Sequence, residues 1–102
     1  MKSYKSYSDA GHGWLAVKIV ELLELNILTR ISSYSYMKGK TAYLEEDCDV
    51  SLFFEVYRDK HGEYPKIGHN SYNERSPIRS YDRYNMNKAL DIALVSFRSK
   101  KV

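Results

Sequence analysis

The chain has little cysteine and no long apolar run, and each shortage excludes a class of structure. Its single cysteine, Cys48, cannot form an internal disulfide, which fits a reducing compartment. No segment approaches the roughly 18 apolar residues that a membrane span requires, and residues 1–7 lack the apolar stretch of a secretory signal. We therefore expect a cytoplasmic protein with no membrane partner.

No single sign of charge dominates the chain, whose formal net charge is +3. Residues 1–40 and 63–102 are basic, with net charges of +3 and +4, whereas residues 41–62 carry −4. This distribution indicates a polar molecule and not a uniformly basic nucleic-acid-binding protein. The ten tyrosines are abundant for this length, and a tyrosine suits both a core and a binding face.

Hydrophobic patterning predicts a single domain over residues 1–102, long enough for a modest core. Residues 1–10 are polar and are expected to form a loose N-terminal segment. The order that follows is strand, helix, strand, strand, helix, strand, at about residues 13–17, 18–29, 32–38, 41–45, 50–60 and 63–69. This order predicts a two-layer, ferredoxin-like α+β fold, in which two helices cover one antiparallel sheet. Residues 86–99 are expected to add a C-terminal helix.

Four carboxylates are crowded together at Glu45, Glu46, Asp47 and Asp49. Such a cluster can attract a hard cation such as Mg²⁺, or contact a basic partner. The structural alternative is that Asp47 or Asp49 caps a helix beginning at Val50, while the two glutamates face water. The spacing matches no known cation-binding loop, so we expect no resident metal ion and no cofactor.

Two histidines are candidates for acid/base chemistry. His12 lies between two glycines and close to Trp14, and His69 lies in the last predicted strand. An imidazole titrates near neutral pH and serves as a base or a metal ligand. The candidate catalytic residues of a small acid/base or metal-dependent hydrolase or nuclease are therefore His12, Glu45, Asp47 and His69. A loop histidine beside a core tryptophan is the alternative, and whether the chain is an enzyme stays open.

The segment from Arg75 to Tyr84 interleaves arginines with tyrosines. Arg75, Arg79 and Arg83 can contact phosphates and Tyr81 can stack on a base, which predicts a nucleic-acid-binding module. The same arginines could instead pair with the acidic cluster across the fold. The glycine- and aromatic-rich signature of RNA-recognition domains is absent, and strand tyrosines are more often sheet formers than a platform for bases.

Four motifs are distinctive as a set, and they occupy residues 9–17, 31–36, 43–49 and 78–81. They include Gly11-His12-Gly13-Trp14-Leu15, Ser32-Ser33-Tyr34-Ser35-Tyr36, Tyr43-Leu44-Glu45-Glu46-Asp47-Cys48-Asp49 and Ile78-Arg79-Ser80-Tyr81. Over about residues 7–84 the chain resembles a family of small proteins of no established activity, encoded mostly by bacteriophages, prophages and plasmids.

The resemblance implies a phage-type accessory protein in the host cytoplasm. Such a protein would bind a host protein or nucleoprotein complex, and would inhibit a host defence of the CRISPR or restriction type. A net charge of +3 disfavours mimicry of DNA, which requires a strongly acidic protein. The oligomeric state, including a homo-oligomer, stays open. The expected binding residues are Trp14, Glu45, Glu46, Asp47, Asp49, Arg75, Arg79, Tyr81 and Arg83.

Overall fold

The computed structural model describes residues 3–71 and 76–100. Within these residues, six strands form one mixed sheet and three α-helices accompany it, so the predicted α+β class is confirmed. The elements are β1 (Ser3–Ser8), β2 (Gly13–Lys18), α1 (Ile19–Glu24), β3 (Tyr36–Lys38), β4 (Thr41–Glu45), α2 (Val50–His61), β5 (Lys66–Ser71), β6 (Asp82–Arg83) and α3 (Met86–Lys100). Short 3-10 turns cover Leu28–Arg30 and Pro77–Ser80.

The sheet has the strand order β5-β1-β2-β4-β3-β6, and the ferredoxin-like order is not confirmed. β1 pairs with β5 in parallel and with β2 antiparallel, so the sheet is mixed. The prediction of a loose segment at residues 1–10 is wrong for Ser3–Ser8, which form β1. β1 takes the place beside β2 that a ferredoxin-like sheet would give to its last strand.

Tyr4 explains why this polar segment becomes a strand. Its side chain is buried, and its ring centroid lies 5.2 Å from that of Phe53 and 5.9 Å from that of Tyr57, both on α2. Its hydroxyl donates a hydrogen bond to Glu21, which is also buried. One aromatic side chain therefore fixes β1 against the helices, although its neighbours in sequence are serines and lysines.

The core lies on one face of the sheet. Alternate side chains of β1 to β4 form one apolar cluster with all three helices, and its members include Tyr4, Leu15, Val17, Met37, Ala42, Leu44, Ile19, Leu22, Phe53, Tyr57, Ala89 and Ala93. The predicted C-terminal helix is confirmed as α3, and its two alanines belong to this cluster. It is therefore part of the main core and not an appendage.

The opposite face of the sheet, here called the outer face, is not covered by the three described helices. Strand pairing places Lys5, Ala16, Tyr43, Tyr36 and Arg83 in one row across it. The segment that contains the second 3-10 turn crosses one end of this face. No helix in the described ranges is both long and apolar enough to cross a bilayer.

Candidate functional site

A cleft of about 370 Å³ opens at the end of the outer face where β2 begins and β4 ends. Six of the predicted site residues line this cleft, together with three further side chains. The lining residues are His12, Trp14, Tyr34, Tyr36, Glu45, Asp47, Cys48, Arg79 and Arg83. Residues distant in the sequence thus converge on one place, because β2 and β4 are neighbours in the sheet.

His12, Glu45 and Asp47 form a compact group inside the cleft. Each contributes a nitrogen or oxygen atom, and these atoms all lie within 4.8 Å of one another. The His12 Nδ1 atom lies 3.5 Å from Glu45 Oε1. The register of β2 and β4, which pairs Trp14 with Glu45, brings the two chain segments together. Asp47 is held nearby because its backbone N–H donates to Glu45 Oε2 at 2.8 Å.

The turn that carries His12 is organised by Asp9. Asp9 Oδ1 accepts hydrogen bonds from the backbone N–H groups of Gly11 and His12, at 3.0 and 3.1 Å. Its Oδ2 atom accepts from the backbone of Ser76 at 2.9 Å. Hydrogen bonds from Arg79 and from the backbone hold the pKa of the Asp9 carboxyl far below its usual range. Asp9 is a site residue that sequence reasoning missed, although an aspartate two residues before a glycine is typical of such turns.

Arg79 is the main partner of Asp9 and forms one wall of the cleft. Its Nε and Nη2 atoms donate to the two Asp9 oxygens at 2.7 and 2.9 Å. Its guanidinium also lies 5.5 Å from the centre of the Trp14 ring. Pairing of an arginine with an acid was one of the sequence-based alternatives, but the acid is Asp9 and not the cluster at residues 45–49.

Arg83 also lines the cleft, and its side chain is exposed. Its guanidinium lies 4.9 Å from the centre of the Tyr36 ring, and its Nη1 donates to the backbone oxygen of Ser33 at 3.3 Å. Tyr81 lies on the outer face beside the cleft, where its ring centroid is 5.1 Å from that of Tyr43. Arg75, also predicted to contact phosphate, lies outside the described residues.

Two predicted residues, His69 and Glu46, lie away from the cleft. They line a separate depression of about 400 Å³ next to α2. His69 Nδ1 lies 2.7 Å from Ser6 Oγ, in the pairing of β1 with β5. The predicted catalytic group of His12, Glu45, Asp47 and His69 is therefore not assembled. The insertion of β1 beside β2 moves β5, and His69 with it, one strand further away.

Asp49 is buried and its carboxylate is engaged within the fold, so its role as a binding residue stays a prediction. Its carboxylate accepts from the hydroxyl of Ser32 at 2.8 Å, from the backbone N–H of Ser32 at 3.1 Å and from the hydroxyl of Ser35. It occupies the N-cap position of α2, but its side chain does not cap the helix as predicted. The same contacts explain why β3 begins at Tyr36 and not near Ser32.

Cys48 is a poor candidate for a nucleophile. Desolvation, reinforced by a hydrogen bond with Glu45 and by the nearby carboxylates, raises the pKa of the Cys48 thiol. A thiol with a raised pKa supplies little thiolate at neutral pH. This agrees with the sequence, in which Cys48 is surrounded by acids.

Aromatic rings and lysines continue along the outer face from the cleft. The ring centroids of Tyr7 and Tyr43 are 6.2 Å apart, and those of Trp14 and Tyr36 are also 6.2 Å apart. Lys38 Nζ lies 4.7 Å from the centre of the Tyr81 ring. Lys5, Lys18 and Lys38 are exposed on this face. Sequence reasoning missed these lysines. The period-two spacing of Lys5 with Tyr7 has meaning only once β1 is assigned as a strand.

Comparisons with protein-family models, with curated proteins and with solved structures find no match for this chain. The relationship to phage- and plasmid-encoded proteins therefore stays a prediction. The function is argued below from the geometry of the cleft and of the outer face.

Proposed function

We propose that the protein binds single-stranded nucleic acid on the outer face of its sheet, either free or as part of a nucleoprotein complex. One observation supports this proposal above the others. The face opposite the helices alternates exposed cations with tyrosine rings over several neighbouring strands. Proteins that bind single strands combine a positive surface that follows the backbone with rings on which bases stack.

The local charge of this face differs from the charge of the surrounding sequence. Among the outward-facing strand residues of the described part, Glu45 is the only acid, whereas Lys5, Lys18, Lys38 and Arg83 are cationic. The acids of α2 lie on the other side of the sheet, and Asp49 is buried. Glu45 and Asp47 line the cleft at one end of the outer face, so the basic charge is concentrated along the rest of that face. Phosphates would therefore meet a basic surface.

The aromatic side chains favour a single strand over a duplex. Tyr34 is 63% exposed at the rim of the cleft, and Tyr36, Tyr43 and Tyr81 are half-buried with their rings in contact with cations or with each other. A base must leave its duplex stack to lie on such a ring, and each stacked base contributes roughly 1–3 kcal/mol. Duplex ends and paired regions would gain little binding free energy from these rings.

Binding is favoured over catalysis because the predicted catalytic group is divided between two sites. The role as an inhibitor of host defence, in the host cytoplasm, stays part of the proposal. The outer face would then contact the nucleic acid of the host complex, and a direct protein partner would use the same surface.

Fluorescence anisotropy with a labelled single-stranded oligonucleotide tests the proposal. We expect the affinity to fall between about 50 and 200 mM salt, with a slope of about −0.7 in log–log form for each phosphate contacted. Lys38→Ala should weaken binding and make that slope shallower by about 0.7, the value for one phosphate contact. Lys60→Ala, an exposed lysine at the end of α2, is the matched control and should change nothing.

A second pair of variants tests stacking. Tyr34→Ala should weaken binding about fivefold or more, the equivalent of at least about 1 kcal/mol. Tyr64→Ala removes a tyrosine of similar exposure, 55%, that packs beside α2, and it should leave the affinity unchanged. Binding that is insensitive to salt, or equal losses from Tyr34→Ala and Tyr64→Ala, would overturn the proposal.

A further inference from the structure

We infer that His12, Glu45 and Asp47 form a site for one divalent transition-metal ion of the Mn²⁺ or Zn²⁺ class, at the floor of the cleft. The metal site itself does not depend on the proposed function. The role of the bound ion in holding a phosphate group does rest on the proposed function. The sequence-based expectation was that no metal binds, because the spacing of the acids matches no known cation-binding loop.

The distances within this group match those between ligands of one ion. Metal–ligand bonds of about 2.1 Å in a tetrahedral site place neighbouring ligand atoms about 3.4 Å apart. His12 Nδ1 and Glu45 Oε1 are 3.5 Å apart, and all three ligand atoms lie within 4.8 Å of one another. His12 and Asp47 are exposed, so their side chains can close the remaining distance by a change of rotamer.

The charge balance of Glu45 also points to a cation. Its side chain is only 9% exposed, yet among the described residues its carboxylate has an ion pair with His12 and with no lysine or arginine. Arg79, one of the two arginines in the cleft wall, is engaged by both oxygens of Asp9. Buried carboxylates are normally paired with a cation or bound to a metal, and a dication would neutralise Glu45 together with Asp47.

The set of donors selects the class of metal. One imidazole nitrogen with two carboxylates suits Mn²⁺, Fe²⁺ or Zn²⁺, whereas Mg²⁺ and Ca²⁺ prefer oxygen ligands alone. The backbone supports the arrangement, since Asp9 orders the turn of His12 and Glu45 accepts from the N–H of Asp47. The ligands are therefore held close together before an ion arrives.

Three protein ligands leave at least one coordination position open. That position would face a cleft whose walls include Arg79 and Arg83, two groups suited to phosphate. Trp14 also lines the cleft, and its buried Nε1 donor has no acceptor within the described part of the chain. If the proposed function holds, the ion therefore anchors one phosphate of the nucleic acid.

Mn²⁺ titration of the metal-free protein, followed by electron paramagnetic resonance and calorimetry without nucleic acid, tests the site. We expect one Mn²⁺ per chain, and a loss of affinity of more than about tenfold in His12→Ala and in Asp47→Asn. The matched controls are His69→Ala and Glu46→Gln, which alter the same residue types outside the cleft and should bind as the unaltered protein does.

The outcomes separate the two proposals. No stoichiometric Mn²⁺ binding, or equal binding by His12→Ala and the unaltered protein, would overturn the metal site. If circular dichroism shows that His12→Ala is unfolded, Asp47→Asn decides, because Asp47 is exposed and its side chain makes no hydrogen bond or ion pair within residues 3–71 and 76–100. Oligonucleotide binding in the presence of EDTA is measured separately, so either proposal can fail while the other stands.

Discussion

The guanidinium of Arg79 holds the carboxylate of Asp9 with two hydrogen bonds, 2.7 Å from Nε to Oδ2 and 2.9 Å from Nη2 to Oδ1. The Asp9 side chain is only 3% exposed. Because Asp9 also orders the turn that carries His12, this ion pair joins that turn to the segment that crosses the outer face. The two walls of the cleft are therefore joined through the Asp9 carboxylate, whose partner Arg79 is 70 positions away in the sequence.

Arg79→Lys tests this dependence. Lysine keeps the charge but cannot make the paired hydrogen bonds of a guanidinium, so we expect a lower melting temperature and a disordered cleft wall. Arg83→Lys is the matched control, since Arg83 is exposed and its loss should leave the melting temperature unchanged. Equal melting temperatures for both variants would contradict the account.

The same ion pair predicts a pH dependence of stability. The Asp9 pKa is far lower in the folded chain than its ordinary value of 3.8, so the unfolded chain binds the proton first as the pH falls. The stability from Asp9 is complete above about pH 5, and is lost progressively below it as the pH approaches the folded pKa. Urea unfolding between about pH 3 and 6 should show this loss in the unaltered protein and a flatter profile in Asp9→Asn. Parallel profiles would exclude Asp9 as the cause.

Asp49→Ala tests whether that residue supports the fold. Removing a buried carboxylate that accepts from Ser32 and Ser35 should lower the free energy of unfolding by about 2–3 kcal/mol. Asp47→Ala, an exposed neighbour, should change it by less than about 0.5 kcal/mol. Urea titration measures both, and a neutral Asp49→Ala would contradict its role in supporting the fold.

Tyr4→Ala tests the assignment of β1. Loss of the ring that packs on Phe53 and Tyr57 should lower the free energy of unfolding by about 3–5 kcal/mol. Tyr34→Ala, which removes an exposed ring, should have little effect on the same measurement. A small effect of Tyr4→Ala would mean that the N-terminal segment is loose after all.

Local signals in the sequence were sufficient for most of the elements. Asn26, a residue type that tolerates the left-handed conformation, adopts it with φ of 62°, two residues after α1 ends. Gly62, with φ of 80°, ends α2. These are short-range effects, which a single chain segment decides by itself.

Contacts between distant segments account for what the sequence did not reveal. β1 is mostly serine and lysine, and its partner β5 is about sixty residues away, so nothing local distinguishes it from a loop. The proximity of Glu45 and Asp47 follows from their spacing in the sequence. The position of His12 beside them depends on the pairing of β2 with β4. Likewise, the exclusion of His69 depends on the place of β1 in the sheet.

The location of the binding surface is the central claim, and amide chemical shifts measure it directly. On adding an unlabelled single-stranded oligonucleotide to ¹⁵N-labelled protein, we expect shifts concentrated at the row formed by Lys5, Ala16, Tyr36 and Tyr43, extending into the cleft at His12. Shifts confined to α2 and α3, or the absence of shifts at concentrations that saturate the anisotropy signal, would contradict the account.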